Sequence, residues 1–322
     1  METPTSRIID AHTHVASVDF IPLSFLERAA DNVHTLLRFQ GIASSRAKLL
    51  ELYLGRLQDD NAEELVSEMA AAGIDKSILL LPDFTFALRD TKLSIAEMFD
   101  RHRAILERWP EKFFVFAGVD PRWGIDGVRL FEKGVSDYGF HGLKLYPPCG
   151  YSPSDARLYP FYEICAAHQI PVLTHTGPTS PLLSFDLARP ILVDQAARDF
   201  PNVNFILAHG TGCYAEECIM LCIYRPNVFL DVSGFQTMPV ENLRHLFSRK
   251  IDHKIIFGTD WPLFRLQGDQ RSAVESLIRD EGPINSLSPR TRAAFFRENI
   301  ERLINVRKPV EVGILRRSSG LA

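Results

Sequence analysis

Three features are absent from the sequence: an uninterrupted apolar run of about 18 residues, a cluster of basic residues, and a Cys-x-x-Cys pair. Without the long apolar run, no membrane span is expected. Without a basic cluster, and with a net charge of −4, nucleic acid is not an expected partner, because phosphate binding leaves a clustered basic footprint. A small molecule is the expected partner instead.

Targeting and redox features are also scarce. The first six residues, METPTS, lack the basic and apolar regions of a secretory signal. The five cysteines form an odd set. Cys218 and Cys222 lie on one turn of a predicted helix, where packing explains them. We therefore expect a reducing, cytoplasmic location.

The sequence does contain a regular alternation of apolar runs and helical segments. Its 322 residues, 46% hydrophobic, can bury a sizeable core. Runs that are apolar throughout suit parallel strands buried on both faces. The predicted strands are Ile8–His14, Ser77–Leu81, Phe113–Val119, Gly139–Tyr146, Pro171–His175, Val203–His209, Val228–Val232 and Lys254–Gly258. This pattern predicts an α/β fold, a single (β/α)8 TIM barrel. An open doubly wound sheet is the alternative, but it lacks Gly-x-Gly-x-x-Gly after the first strand.

Helices are predicted between these strands, with one insertion. The regular helices are Ile95–Arg108, Pro160–His168, Leu192–Asp199, Ala215–Tyr224, Val240–Phe247 and Ser272–Ile278. Residues 16–60 are rich in helix formers but too long for an ordinary βα loop, so they are predicted to form an inserted helical cap. No low-complexity linker divides the chain, so residues 1–322 are predicted to be one domain. An exposed cap can serve as an interface, and a homodimer is therefore possible.

Local signals predict where two further helices begin and end. Asn61 resembles an N-cap with Glu64 three residues later, opening a helix over Ala62–Ala72 that Gly73 closes. Ser288 begins a final helix that reaches Ile304. The tail from Val306 onward has no strong periodicity.

The first predicted strand ends in two histidines, His12 and His14, one residue apart. Successive side chains of a strand face opposite ways, so these two imidazoles share a face. At that spacing both can reach one cation, each at about 2.0–2.1 Å. The pair is a hypothesis that needs other ligands nearby.

Other candidate ligands follow later strands. Lys144 ends the fourth strand, His175 the fifth, His209 the sixth and Asp260 follows the eighth. The C-terminal ends of barrel strands meet at one mouth, where active sites are assembled. Residues scattered along the chain are therefore predicted to converge on one metal site.

These motifs resemble the amidohydrolase superfamily. The similar pieces are Ile9–His14, Gly142–Pro148, Pro171–Gly177, Ile206–Gly210 and Ile256–Pro262. They are most similar to the amidohydrolase-2 branch, which includes relatives of aminocarboxymuconate-semialdehyde decarboxylase. The resemblance spans Ile8 to Pro262 but does not cover the cap.

The resemblance implies one divalent metal, most often Zn²⁺ with Mn²⁺ possible, bound by His12, His14, His175 and Asp260. Such a set with an open position for water suits a catalytic site. Asp260 would take a proton from the water, and His209 would polarise a substrate carbonyl or stabilise an oxyanion.

Lys144 has two readings. In some members of the superfamily a lysine at this position is carboxylated and bridges two metals, with His209 on the second. In a one-metal site, a charged Lys144 would bind a substrate carboxylate or pair with Asp10. Asp10 itself is expected to buttress the base of the site.

Candidate substrate-binding residues follow the same strand ends. Tyr146 shares the side of Lys144, Trp261 follows Asp260, and Arg122 follows the third strand. An arginine there could hold a carboxylate through two parallel hydrogen bonds. A surface or packing role is the alternative for each.

The leading functional hypothesis is a metal-dependent hydrolase that cleaves an amide, lactone or ester with zinc-activated water. The alternative is a non-oxidative decarboxylase of an aromatic or dienoic acid. Several decarboxylases of this branch have Glu in place of the first histidine, so His12 favours hydrolysis, although the semialdehyde decarboxylase also keeps His-x-His. A third hypothesis is a non-catalytic metal- or ligand-binding relative.

Overall fold

Eight parallel strands form one sheet whose neighbour order follows the chain. The computed structural model describes residues 7–265 and 267–304. Its strands are β1 Ile8–Thr13, β2 Ile74–Leu81, β3 Phe113–Ala117, β4 Gly142–Leu145, β5 Val172–Thr174, β6 Phe205–Leu207, β7 Val228–Asp231 and β8 Ile255–Ile256. Neighbouring strands of this sheet pair in parallel, as βα units require.

Hydrogen bonds between β1 and the segment after β8 bring the two edges of the sheet together. The amide of Ala11 donates to the carbonyl of Phe257 at 3.0 Å, and the amide of Asp260 donates to the carbonyl of His12 at 2.7 Å. The amide of His14 donates to the carbonyl of Trp261 at 2.8 Å. The predicted (β/α)8 barrel is therefore confirmed.

Helices lie between successive strands and after β8. They are α1 Leu23–Phe39, α2 Arg46–Gly55, α3 Glu63–Ala72, α4 Ile95–Arg108, α5 Gly124–Ser136, α6 Tyr159–His168, α7 Asp194–Asp199, α8 Ala215–Tyr224, α9 Val240–Ser248, α10 Gln270–Ile278, α11 Pro289–Ala293 and α12 Asn299–Ile304. A π-helical turn over Ala294–Glu298 joins the last two, so the predicted final helix is continuous but irregular. The tail from Val306 lies outside the described residues.

All of the predicted strands except Ser77–Leu81 run too far at their C-terminal ends. His14, His175 and His209 lie beyond the observed strands, because the chain turns into loops there. His209 adopts a left-handed backbone with φ of 58°, which ends any strand. The strand predictions thus located the right segments but not the turns.

The N-cap prediction at Asn61 was wrong. The carboxylate of Asp59 instead accepts hydrogen bonds from the amides of Glu63, at 2.7 Å, and Leu65, at 2.9 Å. These are free N–H groups of the first turn of α3. Gly73 ends the helix as predicted, in the left-handed conformation.

The cap consists of α1 and α2, and a two-residue antiparallel pairing of Ala16–Ser17 with Gln58–Asp59 closes its base. Its contacts are with loops that follow β2, β5 and β8. The Phe25 ring packs on Phe84 with centroids 5.2 Å apart. The backbone carbonyl of Phe25 accepts a hydrogen bond from Ser180 Oγ at 3.1 Å. Arg56 Nη1 donates to the Leu263 carbonyl at 2.7 Å. The cap therefore lies over the C-terminal mouth of the barrel.

Two layers of apolar side chains hold the barrel. The inner layer fills its interior and reaches α12. It includes Ile9, Ile78, Phe116, Leu173, Ile206 and Ile300. The outer layer packs the strands against the helices. No helix within residues 7–265 and 267–304 combines the length and hydrophobicity needed to cross a membrane.

Candidate metal centre

Three of the four predicted metal ligands converge at the mouth of the barrel. Asp260 Oδ1 lies 3.2 Å from His14 Nε2 and 3.5 Å from His12 Nε2. The candidate ligand atoms of these residues all lie within 4.8 Å of one another. His12 and Asp260 are buried and His14 is nearly so. Convergence of two imidazoles and a carboxylate is suited to a divalent cation.

Burial leaves polar atoms of this site without hydrogen bonds. Within the described residues, Asp260 Oδ1 and His175 Nε2 are both buried and make none. Such atoms are costly unless something compensates them, and a bound cation would do so. The residues present therefore fit a divalent metal.

The electrostatics of the site favour an ionised Asp260 and a neutral His12. Burial alone would raise the pKa of Asp260, but the neighbouring His12, His14 and His209 lower it below its ordinary value. Burial, with a contribution from Lys144, lowers the pKa of His12 to about 4, although Asp231 acts in the opposite direction. Neutral imidazoles keep the lone pair that a metal requires.

His175, the fourth predicted ligand, lies beside this cluster and not within the same 4.8 Å group. Its Nδ1 is 3.3 Å from His209 Nε2. Its ring stacks on Tyr146 with centroids 4.3 Å apart and planes 21° apart. Burial, together with His209 and Lys144, lowers the pKa of His175 well below its ordinary value. Its Nε2 makes no hydrogen bond within the described residues, and a backbone hydrogen bond at Pro178 opposes the lowering of its pKa.

His209 connects the histidines to the seventh strand. Its Nδ1 lies 2.9 Å from Ser233 Oγ, 3.2 Å from the Ser233 carbonyl and 4.0 Å from Asp260 Oδ2. His209 and Asp260 both have φ of 58°. Left-handed non-glycine residues are uncommon and concentrate at functional sites.

Lys144 is fully buried beside this cluster. Burial lowers the pKa of its ammonium to about 8, while the carboxylates of Asp231 and Asp260 oppose that shift. The expected pairing of Lys144 with Asp10 was wrong. Asp10 instead accepts hydrogen bonds from Gln270 and from the amide and hydroxyl of Thr259. Asp10 therefore supports the base of the site, as expected, without Lys144.

Sequence reasoning missed Asp231 and Ser233. Asp231 Oδ2 accepts from His12 Nδ1 at 2.9 Å, and Ser233 Oγ lies 3.0 Å from the same nitrogen. Burial would raise the pKa of Asp231, but His12 lowers it below the ordinary value. A signal was present, because Asp231 is a carboxylate at the end of an otherwise apolar strand.

The three candidate substrate residues occupy different surroundings. Tyr146 contacts His175, and its hydroxyl lies 2.7 Å from Thr179 Oγ1. Trp261 is buried directly after Asp260. The Arg122 guanidinium instead forms two hydrogen bonds to Asp120, with a third to the carbonyl of Cys149. Arg122 is therefore engaged within its own loop.

A cavity of about 620 Å³ lies at the opposite end of the barrel, near the starts of β7 and β8. Its lining includes Arg249, Lys254 and Arg302. Lys254 Nζ donates to the carbonyls of Cys222, at 2.7 Å, and Arg225, at 2.6 Å, at the end of α8. Basic side chains commonly cap helix C-termini in this way. The chemistry-bearing residues lie at the other end of the barrel.

The chain matches the Amidohydrolase family, of the amidohydrolase-2 group, over residues 9–306. It belongs to the amidohydrolase-2 family. The resemblance of its motifs is thereby confirmed. No curated protein matches the chain significantly.

Solved structures similar to this amidohydrolase-2 protein share its barrel. An uncharacterised TIM-barrel protein from Bordetella bronchiseptica has a TM-score of 0.65 at 20% identity, covering 93% of this chain and 98% of that one. A 5-carboxyvanillate decarboxylase from Novosphingobium aromaticivorans, with manganese and 4-hydroxy-3-methoxy-5-nitrobenzoic acid, has a TM-score of 0.66 at 15% identity, with coverages of 94% and 97%. A dihydroxybenzoic acid decarboxylase from Polaromonas sp. JS666, with manganese and 2-nitroresorcinol, has a TM-score of 0.64 at 19% identity, with coverages of 94% and 98%. At these identities the likeness shows the fold.

Proposed function

We propose that this protein is a metal-dependent decarboxylase that removes CO₂ from a hydroxylated aromatic acid without oxidation. The observation that carries the proposal is the His12–His14–Asp260 cluster beside a buried lysine, Lys144. A cation at the cluster and a charged Lys144 would together attract a carboxylate. Two proteins of similar fold act on aromatic acids of this kind and hold manganese.

The surroundings of the cluster suit a planar substrate. The stacked rings of Tyr146 and His175 form an aromatic surface, and Phe84 packs edge-on to Tyr146 with centroids 4.9 Å apart. Phe25 of the cap contacts Phe84. Aromatic surfaces bind rings through offset or edge-to-face contacts. The cap would then close over the ring and exclude water.

His12, His14 and Asp260, with His175 beside them, would hold the ion. When bound, a divalent cation supplies a Lewis acid that binds the substrate carboxylate or an adjacent oxygen. In the reaction, the bond between ring carbon and carboxylate carbon breaks, and its electron pair stays on the ring carbon. That carbon takes one proton and CO₂ leaves. With the phenolic proton as the source, HO–Ar–CO₂⁻ gives ⁻O–Ar–H and CO₂, so atoms and charge balance.

Asp260 is the proposed proton carrier. The neighbouring histidines hold the pKa of its carboxyl below the ordinary value, so it is ionised at rest and first accepts the phenolic proton. It then delivers this proton to the ring carbon. Its other oxygen, Oδ2, lies 4.0 Å from His209 Nδ1, which is too far for a hydrogen bond.

Hydrolysis of an amide, lactone or ester is the second candidate. The same ligands could activate water. His12 favours hydrolysis over decarboxylation, because several decarboxylases of this branch have Glu at that position. Zn²⁺ is the ion that the family resemblance implies, whereas the two decarboxylases contain manganese. Both ions therefore belong in the assay.

The test is a pair of substrate panels offered to protein loaded with Zn²⁺ or Mn²⁺. One panel contains hydroxybenzoates, and the other contains chromogenic lactones and anilides. We expect CO₂ release in equal amount to the loss of hydroxybenzoate, abolished by chelation. Cleavage of a lactone or anilide without CO₂ would establish hydrolysis instead. Bound metal with neither product would refute both candidates.

A further inference from the structure

The hydrogen bonds behind the metal cluster determine which nitrogen of each histidine carries a hydrogen. His14 is the simplest case, because its Nδ1 lies 2.8 Å from the carbonyl oxygen of Leu80. A carbonyl only accepts, so Nδ1 carries the hydrogen. In the neutral ring, Nε2 then has a lone pair, and this is the atom 3.2 Å from Asp260.

Asp231 and Ser233 determine the tautomer of His12 in the same way. The Ser233 hydroxyl has one hydrogen, which it donates to Asp231 Oδ1 at 2.5 Å. Its oxygen is therefore an acceptor toward His12 Nδ1 at 3.0 Å, as is Asp231 Oδ2 at 2.9 Å. Nδ1 of His12 faces two acceptors and must carry the hydrogen. Its Nε2, near Asp260, has the lone pair.

His209 determines the tautomer of His175 through the contact between their rings. Nδ1 of His209 faces the Ser233 carbonyl at 3.2 Å and the Ser233 hydroxyl oxygen at 2.9 Å, so it is a donor. In neutral His209, Nε2 is then an acceptor, and it lies 3.3 Å from His175 Nδ1. His175 Nδ1 therefore carries its hydrogen. This leaves a lone pair on His175 Nε2, the buried atom that makes no hydrogen bond within the described residues.

We propose that Asp231 and Ser233 are positioning residues that set the tautomers of His12 and, through His209, of His175, so that Nε2 is the ligating nitrogen of each. The proposal rests on the metal binding of the proposed function and holds for either reaction. It also gives His209 a role as a hydrogen-bonding link, since both of its nitrogens are engaged. Partners behind the ligands commonly hold their orientation and tautomer in this way.

Asp231→Asn tests the proposal because the neighbouring hydrogen-bond donors fix the orientation of the Asn side-chain amide. Asp231 Oδ1 accepts three hydrogen bonds, from the amide of Ser233 at 2.9 Å, the amide of His209 at 3.1 Å and the Ser233 hydroxyl. The amide oxygen of Asn must occupy that position. Its NH₂ group then faces His12 Nδ1 as a donor, which favours hydrogen on Nε2 and blocks ligation by His12.

The first measurement is metal affinity, by titration of metal-free protein with Zn²⁺ or Mn²⁺. We expect Asp231→Asn to weaken binding by roughly 10- to 100-fold. Asp83→Asn is the matched control, since Asp83 is also a buried carboxylate that accepts backbone hydrogen bonds, but none of its hydrogen-bond partners among the described residues is a histidine. We expect Asp83→Asn to keep wild-type affinity. Equal affinity in wild type and Asp231→Asn would overturn the proposal.

The second measurement is the ¹⁵N chemical shifts of the imidazoles in metal-free wild type, which distinguish the two neutral tautomers. We expect His12, His14, His175 and His209 all to carry hydrogen on Nδ1. Hydrogen on Nε2 of His12 or His175 would overturn the proposal even if Asp231→Asn failed to fold. Wild-type protein that binds no metal but shows the expected tautomers would instead refute the proposed function and leave the hydrogen-bond assignment standing.

Discussion

Asp260 Oδ1 lies 3.2 Å from His14 Nε2, although one residue follows the first strand and the other the last. The same two segments close the barrel, through the hydrogen bonds from the Asp260 amide to the His12 carbonyl and from the His14 amide to the Trp261 carbonyl. The same contacts therefore close the sheet and bring the candidate metal ligands together.

Metal should consequently stabilise the fold. A ligand that binds only the native state adds about 2.7 kcal/mol when its free concentration is 100 times its Kd. We expect the Tm of metal-loaded protein to exceed that of chelated protein and to rise with Zn²⁺ or Mn²⁺ concentration. Scanning calorimetry of both forms measures this. An identical Tm at saturating metal would contradict a site formed at the closure.

Asp260→Asn should keep the fold and lose turnover. Asn is among the few residues that tolerate a φ of 58°, so little backbone strain is added. The amide cannot carry the proton and is a poorer ligand, so we expect kcat to fall roughly 100- to 10,000-fold. Steady-state kinetics with circular dichroism tests this. Wild-type turnover in this variant would remove Asp260 from the mechanism.

Lys144→Met distinguishes a one-metal site from a two-metal site bridged by a carboxylated Lys144. Both nitrogens of His209 are engaged by Ser233 and His175, so a second ion lacks that ligand. We expect one metal per chain in wild type and in Lys144→Met, measured by elemental analysis after dialysis. We also expect a higher KM for a carboxylate substrate in the variant. A drop from two ions to one would instead establish a carboxylated Lys144.

Gly258→Ala should disturb the site through packing alone. A Cβ at Gly258 would lie 2.8 Å from His12 Cβ, 3.3 Å from the His12 amide nitrogen and 3.5 Å from Ser233 Cβ. Such overpacking costs about 1–3 kcal/mol, and it would displace His12 from the cluster. We expect a lower free energy of unfolding and weaker metal binding.

Gly55→Ala is the matched control for that variant. Nothing lies within 4 Å of a Cβ at Gly55, which ends α2. This substitution should stabilise by about 0.4–1 kcal/mol by restricting the unfolded chain. Denaturant unfolding of both variants gives the comparison. Equal changes in the free energy of unfolding for Gly258→Ala and Gly55→Ala would show that the contact with His12 does not cause the destabilisation.

His102 should make stability depend on pH. Burial lowers the pKa of this imidazole from 6.5 to about 4, while its hydrogen bond to the Met98 carbonyl opposes that shift. Between these values the unfolded state binds a proton that the folded state does not. The contribution is therefore present above pH 6.5 and is lost as pH falls toward 4, about 3 kcal/mol in total.

His102→Leu removes this pH-dependent contribution to the free energy of unfolding. Unfolding free energies of chelated wild type and variant, measured from pH 7 to 4, should show the variant losing about 3 kcal/mol less. A constant difference between the two proteins over this range would mean that His102 titrates alike in the folded and unfolded states.

Several features were readable from the sequence because their causes are local. Apolar runs at regular spacing predicted all eight strands, since each buried strand needs an apolar stretch of its own. His12, His14, His175 and Asp260 were selected because each ends or follows such a run. Gly73 was selected because a left-handed helix end favours glycine.

Two predictions about side-chain contacts were wrong. The N-cap of α3 comes from Asp59 and not Asn61, because the paired segment Gln58–Asp59 brings that carboxylate to the helix. Lys144 is influenced by the carboxylates of Asp231 and Asp260, whereas Asp10 accepts hydrogen bonds from Thr259 and Gln270. Neither contact follows from residue type alone, because each depends on how the segments pack against one another.

By itself, the sequence determined the class of fold and the chemical identity of the metal-site candidates, because hydrophobic periodicity and residue type act over a few positions. Only the tertiary structure decided that Asp231 and Ser233 lie behind His12, and that His209 lies between Ser233 and His175. A hydrogen bond acts over about 3 Å, so its partners are known only after barrel closure has brought distant segments to that distance.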